Sequence, residues 1–337
     1  MKFGFVPTEG GLHYAESLEQ VRLGEQAGFD SLWLSEHHLQ PEHYWGTPLL
    51  ALAGYATATE RITLGANVVV LPFYHPLRLA EEAHLLSIMS GGRFVLGVGM
   101  GYREHEYRAY GVDVEGRGGR YEEAMGLLKQ LLEEERVTFA GRYYRVQEAT
   151  VQPKSPHRVP YWAGGWGDQN LRRAARYADE WIPGPTADLD RLLRCRATYE
   201  RERAAAGRPA PSTEWPLTRE LVIAENDDQA WADAEQYLLP NYRDEYGGGW
   251  GHPLMGAQGP RVDDLQALSA GRFIVGGPDT VVEGIRHYAE RFGTGHMIFR
   301  LGSATTPHPV VMRQLELLGE RVLPALAKGA IHRPPTP

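Results

Sequence analysis

A chain of 337 residues, 42% hydrophobic and 23% charged, is long enough for one large α/β domain and has the balance of a globular protein. A formal net charge of −8 argues against a nucleic-acid or anionic-membrane surface, so an anionic ligand must be held locally. The single cysteine, Cys195, excludes an internal disulfide, no apolar run reaches membrane-spanning length, and the first residues turn polar too soon for a signal peptide, so a cytoplasmic protein is predicted.

In chain order, residues 3–7 read as a strand and 14–27 as a helix, with Tyr14, Leu18 and Val21 on one face and Gly28 as its stop. Residues 31–35 form the second strand, 48–58 a helix, and 62–71 a third strand rich in β-branched side chains. A helix over 77–89 closes at Ser90-Gly-Gly92 and leads into the fourth strand, 93–99. A long charged helix over 117–135 follows, then a small hairpin over 137–146 that turns at Ala140-Gly141. The second half repeats the scheme with strands at 160–163, 180–183, 217–224 and 295–301. Their helices run over 168–177, 188–206, 227–239 and 308–318, and 278–292 reads as one extra helix.

Eight strand-plus-helix units predict a closed parallel (β/α)8 barrel, a TIM barrel, as a single domain over 1–328. An open doubly wound sheet is the alternative. The segment 240–272 fits no unit. Its glycine-rich run Tyr246-Gly-Gly-Gly-Trp-Gly251 predicts a lid-like insertion after the seventh strand, and 329–337 a flexible tail.

The chemistry starts at Ser31-Leu-Trp-Leu-Ser-Glu-His-His38, where a short apolar strand ends in a carboxylate and two imidazoles. Histidine exchanges protons near neutral pH, and barrels place catalytic groups at the C-terminal ends of strands. Adjacent strand residues face opposite ways, so His37 and His38 cannot both hold one metal while extended. No metal-ligand spacing stands elsewhere, and no metal is predicted. Val95-Leu-Gly-Val-Gly-Met-Gly-Tyr102 begins like a dinucleotide fingerprint but has Tyr102 in place of the third glycine. Its glycines suit a close approach of something flat to the backbone. Gly164-Gly-Trp-Gly-Asp168 ends a strand, with Asp168 as a helix N-cap. It is either a phosphate-binding turn or a tight turn that needs glycine. Asn67, alone in an apolar strand, marks a site or a bulge.

These residues, taken as an ordered series, resemble the bacterial luciferase-like flavin-dependent oxidoreductases. The series runs through Ala27-Gly-Phe-Asp-Ser-Leu-Trp-Leu-Ser-Glu-His-His38, Thr59-Glu-Arg-Ile-Thr-Leu-Gly65 and Leu71-Pro-x-x-His-Pro-x-Arg78. It continues with Ser90-Gly-Gly-Arg-Phe-x-Leu-Gly-Val-Gly99, Glu106-Tyr-x-x-Tyr-Gly-Val112 and Leu171-Arg-Arg-Ala-Ala-Arg-Tyr-Ala-Asp179. It is dense over 1–183 and thin afterwards. The resemblance implies a (β/α)8 barrel with a flavin or deazaflavin in its mouth and His37 as the catalytic histidine. Glu36 either orients or tunes that imidazole or is a barrel-rim ion-pair partner. The resemblance also implies a non-prolyl cis peptide at Asn67-Val68 beside the ring, and a cofactor site of Asn67, Val68, Gly99, Met100, Gly164, Gly165, Trp166, Gly167 and Asp168. Two positions depart from the pattern: Met100 stands where FMN relatives carry a phosphate-binding arginine, and Gly99 where luciferase has a cysteine. The glycine turn after Ala163 is similar to deazaflavin members, while Glu36-His37-His38 is similar to FMN members.

The implied function is a monooxygenase that uses reduced FMN, supplied by a separate flavin reductase, and O2 to oxygenate a small organic substrate. The alternatives are hydride transfer with the deazaflavin coenzyme F420 and a flavin-binding protein without catalysis. A homodimer is implied. Arg78 and Arg93 read as structural ion-pair residues.

Overall fold

The computed structural model describes residues 1–40, 44–244 and 263–328. The strands in the first half are β1 (Lys2–Val6), β2 (Ser31–Leu34), β3 (Thr63–Ala66), β4 (Val69–Val70), β5 (Phe94–Gly99), β6 (Val137–Ala140) and β7 (Arg145–Ala149). The second half supplies β8 (Tyr161–Gly164), β9 (Glu180–Ile182), β10 (Pro216–Ile223), β11 (Phe273–Gly276) and β12 (His296–Arg300). β6 and β7 form the expected antiparallel hairpin; the registered pairs of the main sheet are parallel. The protein is thus α/β with a parallel sheet and helical crossovers. Every residue of β5 and of β10 is buried, as strands covered on both faces require. Among the described residues no helix is long and apolar enough to cross a membrane.

The chain divides into two units. One holds residues 1–32, 184–194 and 212 onward. Its strands run in the order β11-β10-β12-β1, with the start of β2 paired to β1. The helix Tyr14–Gln26 buries Ser17, Gln20, Val21 and Gly24, whereas Tyr14 is exposed. Of the apolar face expected at Tyr14, Leu18 and Val21, Val21 is buried, Leu18 partly so and Tyr14 exposed. Gly24 explains the rest of the buried face: a Cβ there would collide with the Phe5 ring, so the helix docks by its small and amide face.

β11 was not expected from the sequence. It is a four-residue strand beyond β10, and the helix Pro278–Phe292 is its crossover rather than a surplus helix. The order β11-β10-β12 therefore breaks a one-after-another sequence of units. A run of four residues after a glycine-rich stretch carries too little periodicity to be seen. Of the segment 240–272, residues 245–262 lie outside the described residues, as does the tail 329–337. The described flanks include two short helices, Leu239–Tyr242 and Leu265–Ser269, and Tyr242 packs with Phe273 in the core.

The other unit comprises residues 33–183 and 195–211, with the strand order β2-β3-β5-β8-β9. Trp33 lies over Gly65, where no side chain fits, and stacks on Trp162 at 4.9 Å between ring centroids. The expected third strand is interrupted: β3 stops at Ala66, β4 resumes at Val69, and Leu71–Phe73 is a 3-10 turn. Arg93 donates to the carbonyls of Ala56, Thr59, Ile62 and Ser90, fastening the turn before β3 to β5. Arg78 pairs with Glu82 at 2.7 Å, as expected.

Candidate active site

β2 releases the chain at Leu34 and delivers Glu36, His37 and His38 to the C-terminal end of the sheet. Glu36 is 2% exposed and fully engaged. One oxygen meets His38 Nε2 at 2.6 Å; the other accepts from the Val70 amide at 2.9 Å and the Tyr74 hydroxyl at 3.1 Å. Burial, and next the Glu36 charge, push the Tyr74 hydroxyl far above its ordinary range, so it stays a donor. His38, 7% exposed, meets the Tyr110 hydroxyl through Nδ1 at 2.9 Å. Both of its ring nitrogens are thereby engaged. The carboxylate expected to orient His37 orients His38 instead. Residues two apart in an extended chain share a face, which puts Glu36 with His38 and turns His37 the other way.

His37 is partly open, its side chain 20% exposed, and its ring lies edge-on to Tyr44 at 4.5 Å and to Tyr102 at 6.3 Å. Its carboxylate neighbour is Glu106, with Nδ1 3.9 Å from Oε1. Glu106 is buried, accepts from the His38 amide at 2.9 Å, and lies 3.4 Å from Arg103 Nη1. It sits on the short helix Glu104–Ala109, which the sequence pattern did not reveal. The signal for it was the run Glu106-Tyr-x-x-Tyr-Gly-Val112, whose two tyrosines lie at helical spacing. The pair His37–Glu106 can hold and pass a proton. Among the described residues no group of three or more His, Cys, Asp or Glu is placed to hold a metal.

The peptide bond between Asn67 and Val68 is cis, at the interruption between β3 and β4. The Asn67 amide donates to Leu34 O at 2.7 Å, tying it to the end of β2. Val68 occupies a cradle of glycines: a Cβ on Gly99 would lie 2.5 Å from Val68 Cγ2, and one on Gly164 3.0 Å from Val68 Cγ1. The flat object expected at Gly97, Gly99 and Gly101 is, at Gly99, the chain's own valine, which Gly164 also admits. Gly101 plays the same part for Val70, with 2.7 Å to its Cγ1. Glu36, His37, Asn67, Val68, Gly99 and Gly164 are thus gathered at one end of neighbouring strands.

Beyond β8 the turn is as glycine-rich as the sequence demands. Gly165 and Gly167 have φ of 127° and 83°, values that side chains resist. Gly167, not Asp168, is the N-cap; Asp168 is the first helical residue and is exposed. The Trp181 indole donates to Gly165 O at 3.0 Å, and Trp166 packs edge-on to Trp181. Met100, just past β5, offers its carbonyl to the Tyr107 hydroxyl. Of the aromatic residues in the sequence, Phe73 stacks on Tyr110 at 4.6 Å, joining the His38 group.

A family model described as luciferase-like monooxygenase matches residues 2–295. The F420-dependent glucose-6-phosphate dehydrogenase of Nakamurella multipartita is 30% identical, covering 97% of this chain and 96% of its own. Limonene 1,2-monooxygenase of Rhodococcus erythropolis is 28% identical over 92% of this chain and 80% of its own. The solved structure of the monooxygenase RslO1 from Streptomyces bottropensis superimposes with a TM-score of 0.83, at 24% identity over 96% of this chain and 99% of that one, and so has the same fold. With its parallel strands, its histidine at the end of β2 and a match across most of its length, the chain belongs to the luciferase-like monooxygenase family, whose relatives here are oxidoreductases.

Proposed function

We propose that the protein is a flavin-dependent monooxygenase, acting with reduced FMN and O2 on a small organic substrate. The observation that carries the reading is the partly open His37 ring beside the buried Glu106 carboxylate, at the end of β2 and walled by Tyr44 and Tyr102. Reduced FMN, when bound, supplies the two electrons that activate oxygen. The chain's part is proton handling and enclosure. With Nδ1 turned toward Glu106, Nε2 is the atom at which His37 gives or takes a proton. The Val68 backbone, backed by Gly99 and Gly164, forms a firm wall against which a planar ring can rest. The turn Gly164-Gly165-Trp166-Gly167-Asp168 and Met100 lie at the rim. This reading takes the parallel strands as the (β/α)8 barrel.

A second reading, hydride transfer with F420, is favoured by the 30% identity to an F420-dependent dehydrogenase over nearly the whole chain. Titration of the purified protein with FMN and with F420, each oxidised and reduced, separates the two readings. An oxygen electrode then shows whether turnover consumes O2. Binding of FMN without turnover of any substrate supports the non-catalytic alternative. Binding of neither removes the reading altogether. A flavin reductase is the implied source of reduced FMN. Homodimerisation is supported by the exposed Leu50 on the helix Pro48–Ala58 and Leu85, Ile88 and Met89 on the helix Pro76–Met89.

A further inference from the structure

Glu106 takes the third position of the helix Glu104–Ala109, and Arg103 is the residue that caps it. A side chain at the third position turns back toward the cap. Here it meets the cap's guanidinium: Arg103 Nη1 lies 3.4 Å from Glu106 Oε1, and the two side chains are 1% and 2% exposed. The same oxygen accepts from the His38 amide at 2.9 Å and stands 3.9 Å from His37 Nδ1. The Arg103 guanidinium carbon is also 5.5 Å from the centroid of the Tyr102 ring, which lies edge-on to His37. Arg103 therefore backs two of the groups that face His37, its carboxylate and one of its ring walls.

A carboxylate buried this deeply takes up a proton readily unless a positive charge holds it ionised. Among the described residues the ion pairs of Glu106 are those with His37 and Arg103. The other charged and titratable groups nearby are occupied elsewhere. At the end of β2, Glu36 is engaged by His38, the Val70 amide and Tyr74. On the helix itself, Glu104 and Arg108 stand 3.8 Å apart on the exposed side. Burial pushes the Tyr107 and Tyr110 hydroxyls upward, so both stay neutral, and Arg117 and Arg120 face Tyr107. Tyr44 and Tyr102 present rings to His37. A guanidinium does not titrate in the physiological range, so Arg103 is a fixed charge. An ionised Glu106 favours the protonated imidazole at His37; a neutral Glu106 does not.

We infer that Arg103 is a positioning residue: it keeps Glu106 ionised and turned to His37, and thereby sets the proton affinity of the His37 ring. Its bearing on turnover rests on the proposed function; the electrostatic relation does not, and is tested without cofactor. The full-length protein is labelled at histidine, and its imidazole signals are followed by NMR across the range in which histidine titrates. The His37 signal is identified by its loss in H37Q. The same titration is run on E106Q, on R103Q, on R103K, which keeps the charge, and on the double variant R103Q/E106Q. Circular dichroism checks that each is folded, and R103M, which fills similar space, replaces R103Q if that chain does not fold.

In E106Q the His37 midpoint falls by about one pH unit or more. R103Q moves it in the same direction by a comparable amount, R103K stays closer to the wild type than to R103Q, and the double variant falls no further than E106Q alone. A midpoint that stays or rises in R103Q overturns the assignment, because a guanidinium that acts on His37 by repulsion alone raises the midpoint when it is removed. An unchanged midpoint in E106Q, a drop in R103K as deep as in R103Q, or a further drop in the double variant overturns it as well. Where the cofactor titration yields turnover, the limb of the kcat–pH profile that His37 governs shifts with the NMR midpoint, and a limb that stays in place in R103Q removes Arg103 from the reaction. If the wild type binds neither flavin nor deazaflavin, the proposed function fails, while the His37 titration still decides what Arg103 does.

Discussion

The two units are built alike, from parallel strands with helical crossovers, but one set of buried polar groups in each does different work. In the unit of β2 to β9 carboxylates, an imidazole and phenols converge at strand ends: Glu36, His38, Tyr110, Tyr74 and Glu106 form one hydrogen-bonded set around a partly open His37. In the unit of β10 to β12 two arginines fasten backbone, as Arg93 does in the other unit. Arg219, fully buried, donates from one nitrogen to the carbonyls of Pro185 and Ala187, both at 2.8 Å, and stands 5.1 Å over Tyr288. Arg272 donates to Thr186 O at 3.0 Å and to Asp188 at 2.9 Å. The loop 185–188 therefore has two arginines where a strand would have a neighbour. Guanidinium suits fastening because it carries five donors and does not titrate; imidazole suits chemistry because it does.

If the division of labour is right, substitutions on the two sides separate rate from stability. His37→Ala should lower kcat roughly 100- to 10,000-fold in whichever assay the cofactor titration opens, with the denaturation midpoint little changed. Turnover at the wild-type rate would remove His37 from the chemistry. Arg219→Ala should behave in the opposite way. It leaves two buried carbonyls and a space beside Tyr288, for a loss of about 3 kcal/mol or more in urea unfolding, while the folded fraction keeps its kcat.

Two smaller effects sharpen the contrast. Gly99→Ala pushes a methyl group into Val68 and should cost about 1–3 kcal/mol. Val68→Ala in the same chain should return most of it. A double-mutant cycle showing simple additivity would mean that Gly99 does not serve Val68. His296, buried beside the Ser31 hydroxyl at 2.7 Å, has its pKa lowered to about 3 by burial and then by Lys2. A depressed histidine is neutral in the folded chain while the unfolded chain takes up protons below its ordinary pKa. Its contribution is present in full above that value and is lost as pH falls toward about 3. The slope is about 1.4 kcal/mol per pH unit. His84, also lowered by burial, adds in the same direction. Unfolding curves across that window should flatten in His296→Gln, and an unchanged slope would assign the acid sensitivity elsewhere.

What the residues fixed by themselves was the alternation of strands and crossover helices, the histidines at the end of β2, and the family. Each depends on neighbours within a few positions, through periodicity, caps and turn residues, or on an ordered series of short motifs. β11 escaped because four residues carry too short a period to stand out. What tertiary structure decided was partnership. Glu36 binds His38 and leaves His37 to Glu106, a residue 69 positions away whose helix the pattern hid. Gly99 and Gly164 admit Val68, and two arginines hold the loop 185–188. Such choices follow from which side chains meet across strands and crossovers, and a linear pattern holds no record of those distances.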